Sequence, residues 1–242
     1  MNKKEAQQVI KILTEALPYI QKFSKKICIV KYGGAAMIEE SLKNSFARDI
    51  TLMKQVGINV AVVHGGGPQI DKELEKSNIK RNFIDGIRVT DKETIEIVSN
   101  TLDGIINKEI VDLINKNGGN SIGVAKDKKG TISVEKLTTE NIDYGYVGEV
   151  VNINSNYLYE LMNSNYIPVI APLGYDRSGQ IYNINADTAA SQIASHLSAE
   201  KLIFLTDTQG VNDDKGNLIS TLNSKEIKNF IESDIIRGCL LY

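Results

Sequence analysis

Two short apolar runs that end in glycines constrain this chain most. The first is Ile27-Cys28-Ile29-Val30, followed by Lys31-Tyr32-Gly33-Gly34. The second is Val60-Ala61-Val62-Val63, followed by His64-Gly65-Gly66-Gly67-Pro68. Each reads as a buried strand running into a tight turn with a helical pattern beyond. Glycine lets the backbone turn sharply and lets its N–H groups come close to a ligand. A helix N-terminus just past the turn adds unpaired N–H donors and partial positive charge. Two such turns on neighbouring parallel strands make one anion-binding floor, and Lys31 sets a full positive charge at its edge. The chain has neither a Gly-x-x-x-x-Gly-Lys-Ser/Thr loop nor a Gly-x-Gly-x-x-Gly following a strand.

With 242 residues the chain can bury a sizeable core, as one large α/β domain or two lobes. A net charge of −2 gives no basic field for nucleic acid. Cys28 and Cys239 form no Cys-x-x-Cys, and Cys28 sits within an apolar strand, the pattern of a reduced core thiol in a reducing compartment. His64 and His196 lie far apart without metal-ligand spacing, so no protein-bound metal is expected. No apolar run has membrane-spanning length, and Met-Asn-Lys-Lys-Glu opens the chain without an apolar signal segment.

Residues 3–23 carry Val9, Leu13, Ala16, Leu17 and Ile20 at helical spacing, with Pro18 expected to kink or end the regular part. Strand and helix patterns then alternate. Strands are predicted at 26–31, 58–64, 119–125, 131–135, 167–173 and 201–205. Helices are predicted at 38–55, 68–78, 91–116, 155–164, 186–197 and 223–232. Residues 82–90 and 131–154 read as strand-rich excursions. Such alternation predicts a mainly parallel sheet with helices on both faces.

Five segments carry chemistry. Lys31 either snorkels to water from a strand end or meets a phosphate, and Gly33-Gly34 favours the second. Three consecutive glycines, 65 to 67, form a flexible turn or a ligand-holding one, and their entropy cost on ordering favours the second. Arg88, in Asp85-Gly86-Ile87-Arg88-Val89-Thr90, is an exposed strand charge or a bidentate carboxylate grip. In Tyr182-Asn183-Ile184-Asn185-Ala186-Asp187, Asp187 is a helix-start acid or a partner for an active-site lysine. Asn183 and Asn185 form the turn or donate to a ligand. Thr206-Asp207-Thr208-Gln209-Gly210-Val211 is a plain strand exit or a ligand loop at a sheet's carboxyl edge.

In this order the five segments resemble the amino acid kinase family, over roughly residues 24–242. Gly86-Ile87-Arg88-Val89-Thr90 together with Asn183-Ile184-Asn185-Ala186-Asp187 resembles the branch that phosphorylates N-acetyl-L-glutamate rather than aspartate, carbamate or uridylate. The resemblance implies a three-layer αβα sandwich with a mainly parallel central sheet. It implies an N-lobe, about 24–180, for acetylglutamate binding and dimerisation, and a C-lobe, about 181–242, for ATP. It further implies phosphoryl transfer from ATP with Mg²⁺ to the substrate's side-chain carboxylate in arginine biosynthesis.

On this resemblance Lys31 and Asp187 are catalytic, and Gly66, Gly67, Arg88 and Asn183 bind acetylglutamate. Gly33, Gly34, Thr206, Asp207, Thr208, Gln209, Gly210, Val211, Ile235 and Ile236 serve the nucleotide. The family continues into Gly-Gly-Met-x-Pro-Lys, where this chain reads Gly238-Cys239-Leu240-Leu241-Tyr242. A shortened C-terminal part is therefore expected, with a catalytically weak ligand-binding subunit, or another carboxylate or carbamate kinase, as rival readings. Residues 1–23 resemble the oligomerisation helix of an arginine-sensitive branch. That implies a homodimer or hexamer with L-arginine as feedback inhibitor. A nitrogen-sensing signal protein is a partner of some relatives, and no isolated motif for it is present. Nothing points to nucleic acid or membrane as a partner, and the expected location is the cytoplasm, or the plastid stroma for an organellar gene.

Overall fold

The computed structural model describes residues 2–125, 130–139, 142–207, 210–213 and 215–233. In chain order the elements are α1 (Lys3–Phe23), β1 (Ile27–Tyr32), a 3₁₀ turn (Gly34–Met37), α2 (Glu40–Gln55), β2 (Asn59–His64) and α3 (Gly67–Lys76). A hairpin of β3 (Phe83–Ile84) and β4 (Ile87–Arg88) follows, then α4 (Lys92–Asn100), a π-helical segment (Thr101–Asn107) and α5 (Lys108–Lys116). Next come β5 (Ser121–Val124), β6 (Ile132–Thr138), β7 (Asp143–Ile153), α6 (Ser155–Asn163) and β8 (Ile167–Ile170). The last are β9 (Leu173–Tyr175), β10 (Ile181–Asn183), α7 (Ala186–His196), β11 (Lys201–Phe204) and α8 (Ser224–Glu232).

The central sheet has the order β11-β1-β2-β8-β5, and every pair in it is parallel. Its inner strands β2 and β8, with β1, are apolar on both faces, as a sheet covered on both sides requires. Val30, Val60, Val62 and Val169 pack against Phe46, Ile50, Leu74, Leu102 and Ile106 from α2, α3 and the α4–α5 stretch. Ile29, Ala61, Val63 and Ile170 face the other way, onto Leu158, Leu161, Ala189 and Ile193 of α6 and α7. The three-layer αβα expectation holds, and the two glycine turns do sit on neighbouring parallel strands.

Two expectations need correction, and one strand was not expected. The single strand at 167–173 is two: β8 stays in the sheet, and after Ala171-Pro172 the chain leaves it as β9. The segment β10 carries no apolar alternation strong enough to read as a strand, yet it closes a small barrel in the order β10-β7-β6-β9. The helix at 91–116 is interrupted by the π-helical segment. Its buried residues Val98, Leu102, Ile106, Ile110 and Ile114 recur every fourth position. In an α-helix that repeat drifts by about 40° per step, and wider i→i+5 turns rotate less per residue and bring the stripe back onto the sheet. The first helix keeps its expected bounds, α1 running through Pro18 to Phe23.

Helix α1 starts with a capping box, Asn2 and Glu5 exchanging bonds with each other's backbone N–H. None of its residues is buried, and Ile10 and Leu13 are 62% and 61% exposed. No helix among the described residues is long and apolar enough to cross a membrane.

Candidate active site

The carboxyl ends of β1, β2 and β8 open onto one cavity of about 250 Å³, where an open parallel sheet places ligands. It is lined by Lys31, Gly33 and Gly34 after β1, Gly65 to Ile70 after β2, Pro172 after β8, Gly86 to Arg88 of the hairpin, and Asn183 to Asp187 leading into α7. Eight of the residues expected at the site, Lys31, Gly33, Gly34, Gly66, Gly67, Arg88, Asn183 and Asp187, thus meet in one place.

Lys31 lies 2.9 Å from the Asp187 carboxylate, both side chains largely covered. The geometry comes from Asn185, whose side-chain oxygen accepts from the N–H groups of Asp187 (2.8 Å) and Thr188 (3.1 Å) and so starts α7. Both asparagines line the cavity, and Asn185 caps the helix besides. Asp187, on the first turn, faces the lysine across the gap between β1 and α7.

The two turns are tied together by the Gly65 N–H donating to the Tyr32 carbonyl at 2.8 Å. Gly34 has φ +67°, and a Cβ there would run into the Asp207 carboxylate. Gly66 packs so tightly on the π-helical segment that a Cβ would stand 2.5 Å from Ile106 Cδ1. The positive φ favours glycine at Gly34, and at Gly66 any side chain would have to displace Ile106 and Leu102.

Arg88 is 7% exposed, which excludes the exposed-strand reading. One guanidinium nitrogen, Nη2, donates to Asp71 at 2.6 Å, and the plane sits 4.5 Å over the Phe83 ring. The other, Nη1, is buried without a protein partner among the described residues. A buried unsatisfied donor at a cavity wall is costly unless a ligand fills it. The hairpin that carries Arg88 turns at Asp85 and Gly86, both with positive φ, the Asp-Gly signature of a tight hairpin. Asp71 and Phe83, which orient the arginine, escape sequence reasoning; an acid within the polar run of α3 carries no distinguishing signal.

Of the expected nucleotide residues, Asp207 stands beside Gly34; just before that loop Leu205 donates its N–H to the Lys31 carbonyl at 2.9 Å. Thr206, Gly210 and Val211 lie outside the cavity lining. Thr208, Gln209, Ile235 and Ile236 lie outside the described residues, as does the stretch from Gly238 to Tyr242.

His64 is wholly buried, its Nδ1 2.8 Å from the Gly65 carbonyl and its Nε2 3.1 Å from the Asn107 amide nitrogen. Burial pushes its pKa down to about 4, partly opposed by the hydrogen bond to Gly65. The unfolded chain takes up the proton near pH 6.5 and the folded one only near 4, so protonation favours unfolding as pH falls through that interval. The melting temperature is expected to drop between pH 6.5 and 4, with a shallower drop in His64→Gln. Equal slopes in the two proteins, read by circular dichroism, would remove His64 from the acid response.

Comparison with known proteins agrees with this geometry. The family model described as the amino acid kinase family matches residues 26–238. The acetylglutamate kinase of Hydrogenovibrio crunogenus is 49% identical over 251 aligned positions, covering all of this chain and 84% of that protein. The acetylglutamate kinase of Aquifex aeolicus is 48% identical, covering 94% of this chain and 81% of that protein. Among solved structures, smu.665 from Streptococcus mutans superposes with a TM-score of 0.80 at 31% identity, covering 90% of this chain and 86% of the other. The N-acetylglutamate synthase of Neisseria gonorrhoeae shares the fold over 92% of this chain and 51% of its own, with a TM-score of 0.81 at 23% identity. With a family match across nearly all of its length, the chain belongs to the amino acid kinase family.

Proposed function

We propose that the chain transfers the γ-phosphoryl group of MgATP to the side-chain carboxylate of N-acetyl-L-glutamate, giving N-acetyl-L-glutamyl 5-phosphate and ADP, the second step of arginine biosynthesis from glutamate. One observation carries this reading: a single cavity joins a lysine over a glycine floor to a buried arginine with an open donor. The first suits a transferring phosphoryl group, the second a carboxylate at the far end of the acceptor. The relatives named acetylglutamate kinase, at 47–50% identity, support the same assignment.

A carboxylate oxygen attacking a phosphoryl group brings two anions together, so charge neutralisation dominates the barrier. In this reading the substrate oxygen forms the new bond to phosphorus while the bond to the ADP oxygen breaks, and ADP leaves with the electron pair. Lys31 neutralises charge on the phosphoryl oxygens, and backbone N–H groups of the glycine turns hydrogen-bond them. Asp187 aims Lys31 rather than acting as a base, because a carboxylate nucleophile is already ionised at pH 7. Arg88 grips the α-carboxylate, with Gly66, Gly67 and Asn183 completing the acceptor site. Gly33, Gly34 and the 206–211 loop, with Ile235 and Ile236, serve the nucleotide.

Among the described residues no cluster of three or more His, Cys, Asp or Glu side chains forms a metal site. The phosphate floor offers N–H and ammonium donors, which fits Mg²⁺ entering on the nucleotide's own phosphates and lowering their charge.

The deciding assay measures ADP release with acetylglutamate, glutamate, aspartate, carbamate and uridylate as acceptors. Turnover confined to acetylglutamate is expected. Turnover with another acceptor and none with acetylglutamate would overturn the proposal.

The assembly follows from α1. Its apolar stripe is unburied within its own chain, and an amphipathic helix buries that stripe somewhere. In the proposed assembly α1 pairs with α1 of another dimer and links dimers into a larger ring, the arrangement in which L-arginine inhibition is expected. Deleting residues 1–23 then leaves a folded dimer without the larger species. Leu13→Asp acts the same way, since an unpaired charge in that seam is costly to bury. Light scattering after size exclusion reads the result, and an unchanged mass on deletion returns α1 to its own subunit.

A further inference from the structure

The π-helical segment ends at Asn107, which is 3% exposed and belongs to no motif identified in the sequence. Its amide nitrogen donates to the Val169 carbonyl at 2.8 Å and lies 3.1 Å from His64 Nε2. A carbonyl only accepts, so the atom facing Val169 is the amide nitrogen and not the oxygen. That nitrogen can then only donate to Nε2. His64 therefore holds its proton on Nδ1, which donates to the Gly65 carbonyl at 2.8 Å.

The Gly65 carbonyl and the Gly66 N–H are opposite ends of one planar trans peptide, so fixing one direction fixes the other. With glycine on both sides of that peptide, side-chain sterics do not hold its rotation. The imidazole supplies the constraint that the missing side chains cannot. Gly66 lines the cavity, and the space where its Cβ would stand is taken by Ile106 and Leu102 of the same π-helical segment. Asn107 is locked in turn, its oxygen filling the space beside Gly123 where a Cβ would stand.

We propose that Asn107 is a positioning residue for phosphoryl transfer: it holds His64 as the Nδ1–H tautomer, and His64 turns the Gly65–Gly66 peptide so that the Gly66 N–H meets the transferring group. The role rests on the phosphotransferase reading above. It also gives the π-helical segment a purpose beyond packing, in keeping with where such distortions occur in helices.

The chain has only two histidines, so long-range proton–nitrogen spectra of imidazole-labelled protein resolve His64 without ambiguity. The Nδ1–H tautomer is expected in the unaltered protein, and its loss in Asn107→Ala. In the coupled assay Asn107→Ala is expected to lower kcat on the order of 10-fold, with KM for ATP nearly unchanged, a partial loss of one preorganised donor. The pair Asn107→Ala/His64→Gln loses no more kcat than His64→Gln alone, since the two act through one contact. An Nε2–H tautomer in the unaltered protein overturns the proposal even where Asn107→Ala does not fold. So does a tautomer change with unaltered kcat, or additive losses in the double variant. The spectra need no substrate, so an unaltered protein that releases no ADP with acetylglutamate sinks the functional reading separately.

Discussion

Lys31→Ala is expected to lower kcat by on the order of 10²-fold or more, the usual effect of deleting one preorganised charge-stabilising group. Lys31 is the cation on the glycine floor, ion-paired to Asp187 at 2.9 Å and mostly shielded from water. Shielding strengthens its field on a developing charge. The substitution removes the ammonium without touching the apolar faces of β1, whose buried residues are Cys28, Ile29, Val30 and Tyr32, so the melting temperature should move little. Removing only the lysine also leaves Asp187 as an uncompensated negative charge near the phosphates. The companion Lys31→Ala/Asp187→Asn should therefore recover part of the loss in ATP binding but little of kcat. Near-wild-type kcat in Lys31→Ala would exclude the transition-state role.

The second large effect falls on binding. Arg88→Lys is expected to raise KM for acetylglutamate by about 30-fold or more, the scale of one lost charge-assisted hydrogen bond, with KM for ATP nearly unchanged. The guanidinium already spends one nitrogen on Asp71 and keeps Nη1 unpartnered. Lysine has one nitrogen to serve both directions and no plane to lie on Phe83. A loss confined to ATP would place Arg88 at the wrong end of the cavity.

The sequence was most legible where one residue type has one physical reason to be present. The apolar runs of β1 and β2 and the glycines behind them specify a parallel pair with a turn at its edge. The structure puts Lys31, Gly33, Gly34, Gly66 and Gly67 around the same cavity. The barrel was not legible, because β10 is three residues long and its partner β9 follows β8 with only Ala171-Pro172 between. The supports of the site were not legible either. Asp71 orients Arg88 and Asn107 orients His64, but each looks like one more polar residue on a helix. Their importance comes from which side of the helix faces the sheet. At Asn107 that depends on a change of helical pitch which no local pattern announces.

The last strand to join the sheet, β11, pairs with the first, β1, in parallel. The Lys31–Asp187 ion pair likewise joins the start of the domain to α7, which immediately precedes that strand. Contacts between such distant parts of a chain form late, because loop closure must come before any gain from pairing. During synthesis the glycine turns after β1 and β2 therefore emerge well before the carboxylate that aims the lysine has left the ribosome. A nascent chain has a place for phosphate but no tuned cation over it. Catalytic competence should therefore not precede the docking of α7, and recovery of activity bounds the time at which that helix reaches β1.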